Sequence, residues 1–250
     1  MAEPLVRMRN VHKSFGPVQA LAGVDFAVHE KEIVGLLGDN GAGKSTLIKI
    51  LSGVVPATSG EIFVRGEKAS IRNTNDAIRF GIETIHQDSA LVPQLSIARN
   101  LFLGREPLKG PPFLNRMDKD AMNRIAGELL VEVGITKKLA PDTPVSLLSG
   151  GERQAVSIAR ALFFDSDLII LDEPTNNLGV EETHGVLRFV RNARDSGHSS
   201  IFIAHNIHHV FQVVDRIVVL RNGEVVADDI DPASSTIDEV ERIITGALAV

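Results

Sequence analysis

The sequence predicts an α/β fold: a mostly parallel sheet covered by helices, with an antiparallel β part at the start and a helical insertion in the middle. Three observations carry this. Short, continuous apolar runs at Ile33 to Leu37, Leu168 to Leu171, Ser200 to Ala204 and Ile217 to Leu220 alternate with helical patterns, the signature of strands buried on both faces. Leu5 to Val11 and Val24 to Val28 instead alternate apolar and polar residues, and Glu61 to Val64 is a β-rich run between Gly60 and Gly66, as in strands with one wet face. Residues 88–158 hold helical patterns on both sides of a breaker cluster.

Taken in order, Leu5 to Val11, Val24 to Val28 and Glu61 to Val64 form the β part. Ile33 to Leu37 stops at glycine and is followed by a helical stretch, Ser45 to Ile50. Ile82 to Ile85 is a further strand. Ser96 to Leu103 reads as helix, and so does Asp118 to Val133, with Met122, Ile125, Leu129 and Val133 on one face and Gly134 placed to end it. The PLKGPP run between them is expected to be loop. Asn222-Gly223 between apolar runs predicts a hairpin, and Thr236 with Glu239 predicts a capping box for a last helix. The expected organisation is one domain over 1–250, with an α/β core and β part in 1–87 and 159–250 and a helical subdomain in 88–158.

Composition narrows the classes. A 250-residue chain that is 44% hydrophobic has the material for a sizeable core. A net charge of -6 argues against a dedicated nucleic-acid binder. With no cysteine, disulfides and thiolate metal sites are excluded. The first ten residues lack the apolar core of a signal peptide, and no apolar run is long enough to span a bilayer. A membrane role is therefore expected to come through a partner.

Gly38-Asp39-Asn40-Gly41-Ala42-Gly43-Lys44-Ser45 fits G-x-x-x-x-G-K-[ST] between a predicted strand and a predicted helix. Glycines let backbone N–H groups curl inward onto phosphate oxygens, and the helix adds its positive N-terminal end. Lys44 brings a full positive charge to the β and γ phosphates, and the Ser45 hydroxyl is placed to ligate Mg²⁺. Strand Leu168 to Leu171 runs into Asp172-Glu173, at the strand end where α/β sheets bind ligands. Asp172 suits Mg²⁺, directly or through water. Glu173 suits the attacking water, orienting or deprotonating it.

Leu148-Ser149-Gly150-Gly151-Glu152-Arg153-Gln154 resembles the LSGGQ signature of ABC (ATP-binding cassette) ATPases, with Glu152 in place of glutamine. Ser149, Gly150 and Gly151 before a helix offer an anion hydroxyl and N–H donors. The resemblance covers essentially the whole chain. It implies an ATPase that works as a homodimer, with Ser149, Gly150, Gly151 and Glu152 closing over ATP on the opposite subunit. It implies Gly38, Asn40, Gly41, Gly43, Lys44, Ser45 and Thr46 as the nucleotide-binding loop, and Phe15 as the ring stacked on adenine. Gln87 would be the Q-loop residue, touching Mg²⁺ or water and relaying nucleotide state to a transmembrane partner. His205 would be the switch histidine on the γ-phosphate. The spacing of His205, His208 and His209 also permits a metal site, a weaker reading because His205 already has a role by position. Gly179 departs from the family, which usually carries aspartate there, and puts that cross-dimer contact in doubt.

Further stretches, 81–88, 91–93, 100–106, 205–206, 209–211 and 215–216, are similar to the ATPases of bacterial monosaccharide importers of the ribose, fructose or xylose type. These imply two permease subunits, a periplasmic solute-binding protein, and a place on the cytoplasmic face of the inner membrane. An importer for amino acids, metals or lipids shares every catalytic motif and remains open at this point, as does a soluble ABC ATPase of translation or DNA repair.

Overall fold

The computed structural model describes residues 3–85, 91–111, 113–132, 139–163, 166–176 and 178–248. His86, Gln87, Val133, Gly134 and Asn177 lie outside the described residues.

The chain opens with β1 (Val6–Phe15) and β2 (Val18–Val28), a long hairpin turning at Gly16-Pro17, then β3 (Ile33–Leu37) and α1 (Lys44–Leu51). Next come β4 (Ser59–Val64), β5 (Glu67–Lys68), α2 (Thr74–Arg79) and β6 (Ile82–Ile85). The middle holds α3 (Ile97–Leu101), β7 (Leu108–Lys109), β8 (Arg116–Met117), α4 (Lys119–Glu132), a 3₁₀ turn at Val145–Leu147 and α5 (Gly150–Phe163). The last part is β9 (Leu168–Asp172), α6 (Val180–Asp195), β10 (Ser199–Ile203), α7 (Ile207–Val213), β11 (Arg216–Arg221), β12 (Glu224–Ile230) and α8 (Ile237–Thr245).

The strands form two main sheets. One is antiparallel, in the order β2-β1-β4-β5. The other has the order β12-β11-β3-β10-β9-β6. In it β11, β3, β10 and β9 run parallel and β12 closes one edge antiparallel. All five residues of β3 and all five of β10 are buried, which is why β3 and the Ile201–Ile203 part of β10 read as apolar runs rather than alternating ones. The chain divides into two compact units. The first comprises Met1–Thr84, Ser166–Glu173 and Val190–Val250, and the second comprises Ile85–Asp165 and Pro174–Phe189.

The first unit contains both main sheets except the end of β6, and one apolar core. Val34 and Leu36 of β3, Leu47, Ile48 and Leu51 of α1, and Ile201 of β10 are all within it. Turn chemistry sets its edges. Asn222 and Gly223 have φ of 51° and 81°, the positive pair that a two-residue hairpin turn between β11 and β12 requires. Thr236 Oγ1 accepts from the Glu239 amide at 3.2 Å while Glu239 returns a carboxylate to the Thr236 amide at 2.8 Å, the predicted capping box of α8.

The second unit packs α3 and α4 on α5. Asn100, fully buried, ties its entry loop: its side chain accepts from the Val92 amide at 2.7 Å and donates to the Val92, Leu95 and Ser96 carbonyls. Two expectations need correction here. The PLKGPP run is not all loop, because Leu108 and Lys109 pair antiparallel with Met117 and Arg116. Asp118 and Asp120 hold Lys109 by ion pairs at 3.1 and 2.9 Å, long-range partners that a local reading of the glycine and prolines misses. The buried face of α4 is Met122, Ala126, Leu129 and Leu130, with Ile125 at its margin.

Candidate functional site

The loop after β3 is shaped by backbone that leaves no space for side chains. Gly38 has φ 149°, and a Cβ on it would run into the Leu220 carbonyl. Gly43 has φ 109°, with the Ala20 carbonyl 2.8 Å from where a Cβ would lie. Gly41 needs glycine only for its φ of 80°, since nothing lies within 4 Å of its Cβ position. The hairpin turn between β11 and β12 braces the loop, the Gly223 amide donating to the Ala42 carbonyl at 2.9 Å.

The loop leads into α1, whose N-cap is Gly43. No side chain caps it and no acidic residue lies in its first turn, so its first N–H groups face an incoming anion without an internal rival. Ser45 is exposed and Thr46 half-buried in that turn. The Lys44 ammonium donates to the Gly38 carbonyl at 2.6 Å and the Asp39 carbonyl at 3.0 Å. Burial lowers its pKa below the usual lysine value, against the opposing pull of Asp39, Glu173 and Asp172. A cation that is short of solvation and flanked by acceptors is primed for a polyphosphate.

The two acidic residues arrive at the carboxyl end of β9, beside β10. Asp172 pairs in register with Ile203. Glu173 has φ 55°, left-handed backbone that costs a residue with a Cβ about 1–2 kcal/mol. Its amide is held by the Ile203 carbonyl at 2.9 Å, and the kink turns its carboxylate to His205, whose Nε2 lies 2.7 Å from Glu173 Oε1. His205 follows β10 and is mostly exposed. Asn206 caps α7 by accepting from the His208 amide at 3.0 Å, and its Nδ2 meets His209 Nε2 at 3.2 Å.

Gly38, Asn40, Lys44, Glu173 and His205 thus line one cavity of about 220 Å³, at the carboxyl ends of β3, β9 and β10. That is where neighbouring connections part and α/β sheets take their ligands. Glu241 and Ile244 of α8 line it too. Neither has a motif, and only the folding of a helix 200 residues downstream onto the loop reveals them. Phe15 closes the β1–β2 hairpin with 48% of its surface exposed, so it is not a core phenylalanine. Lys13 Nζ lies 4.9 Å over its ring. Gln87 lies outside the described residues.

In the second unit, Ser149 begins α5 with a reciprocal cap. Glu152 Oε2 accepts from the Ser149 amide at 2.8 Å, and Ser149 Oγ accepts from the Glu152 amide at 3.2 Å. Glutamate fills the usual glutamine position because either residue closes this box. Arg153 donates to the Leu148 carbonyl at 2.6 Å. Glu182 of α6, a residue without a motif, accepts from the Gly151 amide at 3.2 Å and from the Gly179 amide at 3.0 Å.

A glycine-built phosphate loop, its lysine, and an acid–histidine pair at the ends of parallel strands define a nucleotide-binding domain of the phosphate-loop class. The chain belongs to the ABC transporter family, whose pattern residues 21–176 match. It is 42% identical over 243 residues to the "Xylose/arabinose import ATP-binding protein XylG" of Sulfolobus acidocaldarius, covering 96% of this chain and 94% of that protein. It is 41% identical to the "Fructose import ATP-binding protein FrcA" of Rhizobium meliloti, covering 98% and 95%. Against the "Ribose import ATP-binding protein RbsA" of Caldanaerobacter subterraneus subsp. tengcongensis it is 37% identical over 98% of its own length, but spans only 48% of that protein. Among solved structures it resembles the ADP conformation of an ATP-binding cassette of an ABC transporter, with a TM-score of 0.81 at 22% identity over 98% of this chain and 96% of that one. It also resembles a dimeric post-hydrolysis cassette bound to ADP and Pi, with a TM-score of 0.74 at 25% identity over 90% and 97%. Among the described residues, no helix is long and apolar enough to cross a membrane.

Proposed function

We propose that the chain is the ATP-hydrolysing subunit of an importer for a monosaccharide. The observation that carries this is the meeting of Lys44, Glu173 and His205 in one cavity, in a chain 42% identical to a pentose import ATP-binding protein along nearly the whole of both.

The phosphate loop binds ATP through the amides of residues 38–45, with Lys44 between the β and γ phosphates and Phe15 against adenine. Glu173 accepts the proton of the attacking water or orients it. His205, whose Nε2 lies 2.7 Å from Glu173 Oε1, contacts the γ-phosphate and holds that carboxylate in line. The donors for Mg²⁺ fit: the Ser45 hydroxyl and the Asp172 carboxylate are hard oxygens, and the field of Asp172 reaches Lys44. Two protein oxygens beside phosphate and water are the set Mg²⁺ prefers. Bound there, Mg²⁺ would neutralise charge on the β and γ oxygens. Gln87 would sense that centre.

The working unit is a homodimer in which Ser149, Gly150, Gly151 and Glu152 of each copy face the ATP of the other. A relative of the same fold is dimeric with ADP and Pi bound. Closure and reopening of the dimer drive two permease subunits docked near Gln87 and the helical subdomain of residues 88–158, at the cytoplasmic face of the inner membrane. A periplasmic binding protein delivers the sugar, which this chain never touches. The test is purification of the tagged chain from gently solubilised membranes, with its companions identified by mass spectrometry. A polytopic permease and a periplasmic sugar-binding protein are the expected companions. Ribosomal or DNA-repair proteins without a permease would overturn the transport role and leave the ATPase.

A further inference from the structure

Glu182 has more partners than its own helix requires. It is the third residue of α6, and its Oε2 accepts from the Gly179 amide at 3.0 Å, the return bond of an ordinary helix cap. Capping does not account for the other oxygen. Oε1 reaches across 31 positions of sequence to the Gly151 amide at 3.2 Å. The Ser149 hydroxyl, whose oxygen accepts from the Glu152 amide at 3.2 Å, helps keep the Glu182 carboxylate ionised. Gly151 is buried beneath the side chain, the position of a Cβ there lying 2.6 Å from Glu182 Cγ. One carboxylate thus takes the Gly151 amide of the turn that opens α5, beside the Ser149 hydroxyl, as an oxygen of a phosphate would.

We propose that Glu182 is an internal anion that competes with the γ-phosphate of a nucleoside triphosphate for Ser149 and Gly151, and so sets the ATP concentration at which two cassettes close. This rests on the reading of residues 149–152 as the segment facing the partner copy's ATP. A carboxylate and a phosphate, both negative, cannot share these donors, so closure must turn Glu182 aside. The Gly179 amide first, then the Ser149 hydroxyl and the Gly151 amide, hold its pKa below the usual glutamate value, and the competitor stays charged throughout the neutral range. Its other contact, Gly179, is where the family's usual aspartate is missing. The acidic group at this turn therefore sits three residues later, on a side chain long enough to reach the signature.

The sign of one measurement decides the matter. In the full chain carrying Glu173→Gln, dimer formation is followed by light scattering as ATP is raised, with and without Glu182→Gln or Glu182→Ala. Glu182→Gln keeps the volume and one acceptor while removing the charge. The expected result is a midpoint lower by about tenfold, the equivalent of one charge-assisted hydrogen bond no longer broken on closure. With Glu173 intact, the same substitutions lower the KM for ATP more than they change kcat. A purely structural role gives the opposite sign, because a loosened α5 start raises the midpoint. A midpoint raised or unchanged in both variants overturns the proposal, and so does failure of both to fold. If Glu173→Gln alone never dimerises at any ATP concentration, the partner-facing reading of residues 149–152 falls first. If it dimerises and Glu182→Gln leaves its midpoint in place, only the role of Glu182 falls.

Discussion

The chain has two glycine-rich turns that each launch a helix, and they treat their N–H donors in opposite ways. At residues 38–45 the donors that open α1 carry no side-chain cap and face no acid in the first turn; Asp39 takes only the Asn40 amide, at 2.7 Å, and Lys44 rests on its own loop's carbonyls. At residues 148–152 the donors are occupied, by a Ser149–Glu152 box and by Glu182. A site that binds its nucleotide within one chain needs to be ready before the ligand arrives. On the proposed reading, in which residues 148–152 meet ligand only when a second copy arrives, internal anions would hold that segment until then.

The largest effect should come from taking the cation out of the open turn. Lys44→Ala is expected to abolish ATP binding by the single chain, read by equilibrium dialysis with labelled nucleotide. Ser149→Ala in the closed turn should leave that binding unchanged. Equal losses in both would erase the distinction between the turns.

Next comes a change that leaves both turns intact. Glu173→Gln should preserve ATP binding and lower turnover by at least about 10²-fold, with an ATP-bound dimer accumulating. The left-handed backbone at residue 173 is kept by glutamine as by glutamate, so the loss would belong to the lost acid rather than to a refolded turn. Wild-type turnover no faster than that of Glu173→Gln would remove Glu173 from the chemistry.

The two turns also differ in what surrounds their glycines. A Cβ at Gly38 meets the carbonyl of Leu220, which pairs with Val225 in the β11–β12 ladder, at a φ of 149° that L-residues avoid. A Cβ at Gly151 meets Glu182 Cγ at 2.6 Å, which a rotamer change can withdraw, but also Glu182 Cβ at 2.7 Å, which moves only with the α6 backbone. Gly38→Ala should therefore cost about 3 kcal/mol from overpacking and backbone strain together, and Gly151→Ala about 2 kcal/mol from overpacking against α6 at a backbone that an L-residue adopts without strain. Denaturant unfolding of both variants measures this, and a Gly151→Ala variant as stable as the wild type would mean that the start of α6 shifts freely to admit the methyl group.

This contrast marks what can be read from sequence. The strands read at 33–37, 168–171 and 200–204 were legible, to within a residue at their ends, because burial on both faces writes itself as a mostly apolar run. The phosphate loop was legible because glycine, lysine and serine are needed there in that order. The Thr236–Glu239 cap was legible because it spans three residues. Glu182 was not: an acid in a helix's first turn is what the helix dipole alone would favour, and its second bond crosses to residue 151. The partners of Lys109 escaped for the same reason, as did Glu241 and Ile244, which reach the cavity only once α8 has folded back. Helix α2 begins on an Asn73 cap bonded to the Asp76 amide at 3.0 Å. At six residues it is too short to show a period.

The smallest expected effect is a proton. Lys44 lies below its ordinary pKa because burial strips its hydration faster than Asp39, Glu173 and Asp172 restore it. Phosphate oxygens would reverse that balance and raise it. In the window between the free and the ATP-bound values the chain must take up a proton as it binds. Nucleotide affinity of the single chain is thus expected to fall as pH rises through the free-state value of Lys44, by at most one proton's worth per ATP. Glu182 has no such signature. Its pKa is lowered, and a carboxylate already ionised in the neutral range exchanges no proton when a phosphate displaces it there. Titration calorimetry at alkaline pH, in two buffers of different ionisation enthalpy, separates the cases. Proton uptake in wild type and its loss in Lys44→Arg place the proton on Lys44. No buffer dependence in wild type would mean that Lys44 is solvated well enough in the free chain to keep an ordinary ammonium, and that the open turn is less primed than its geometry implies.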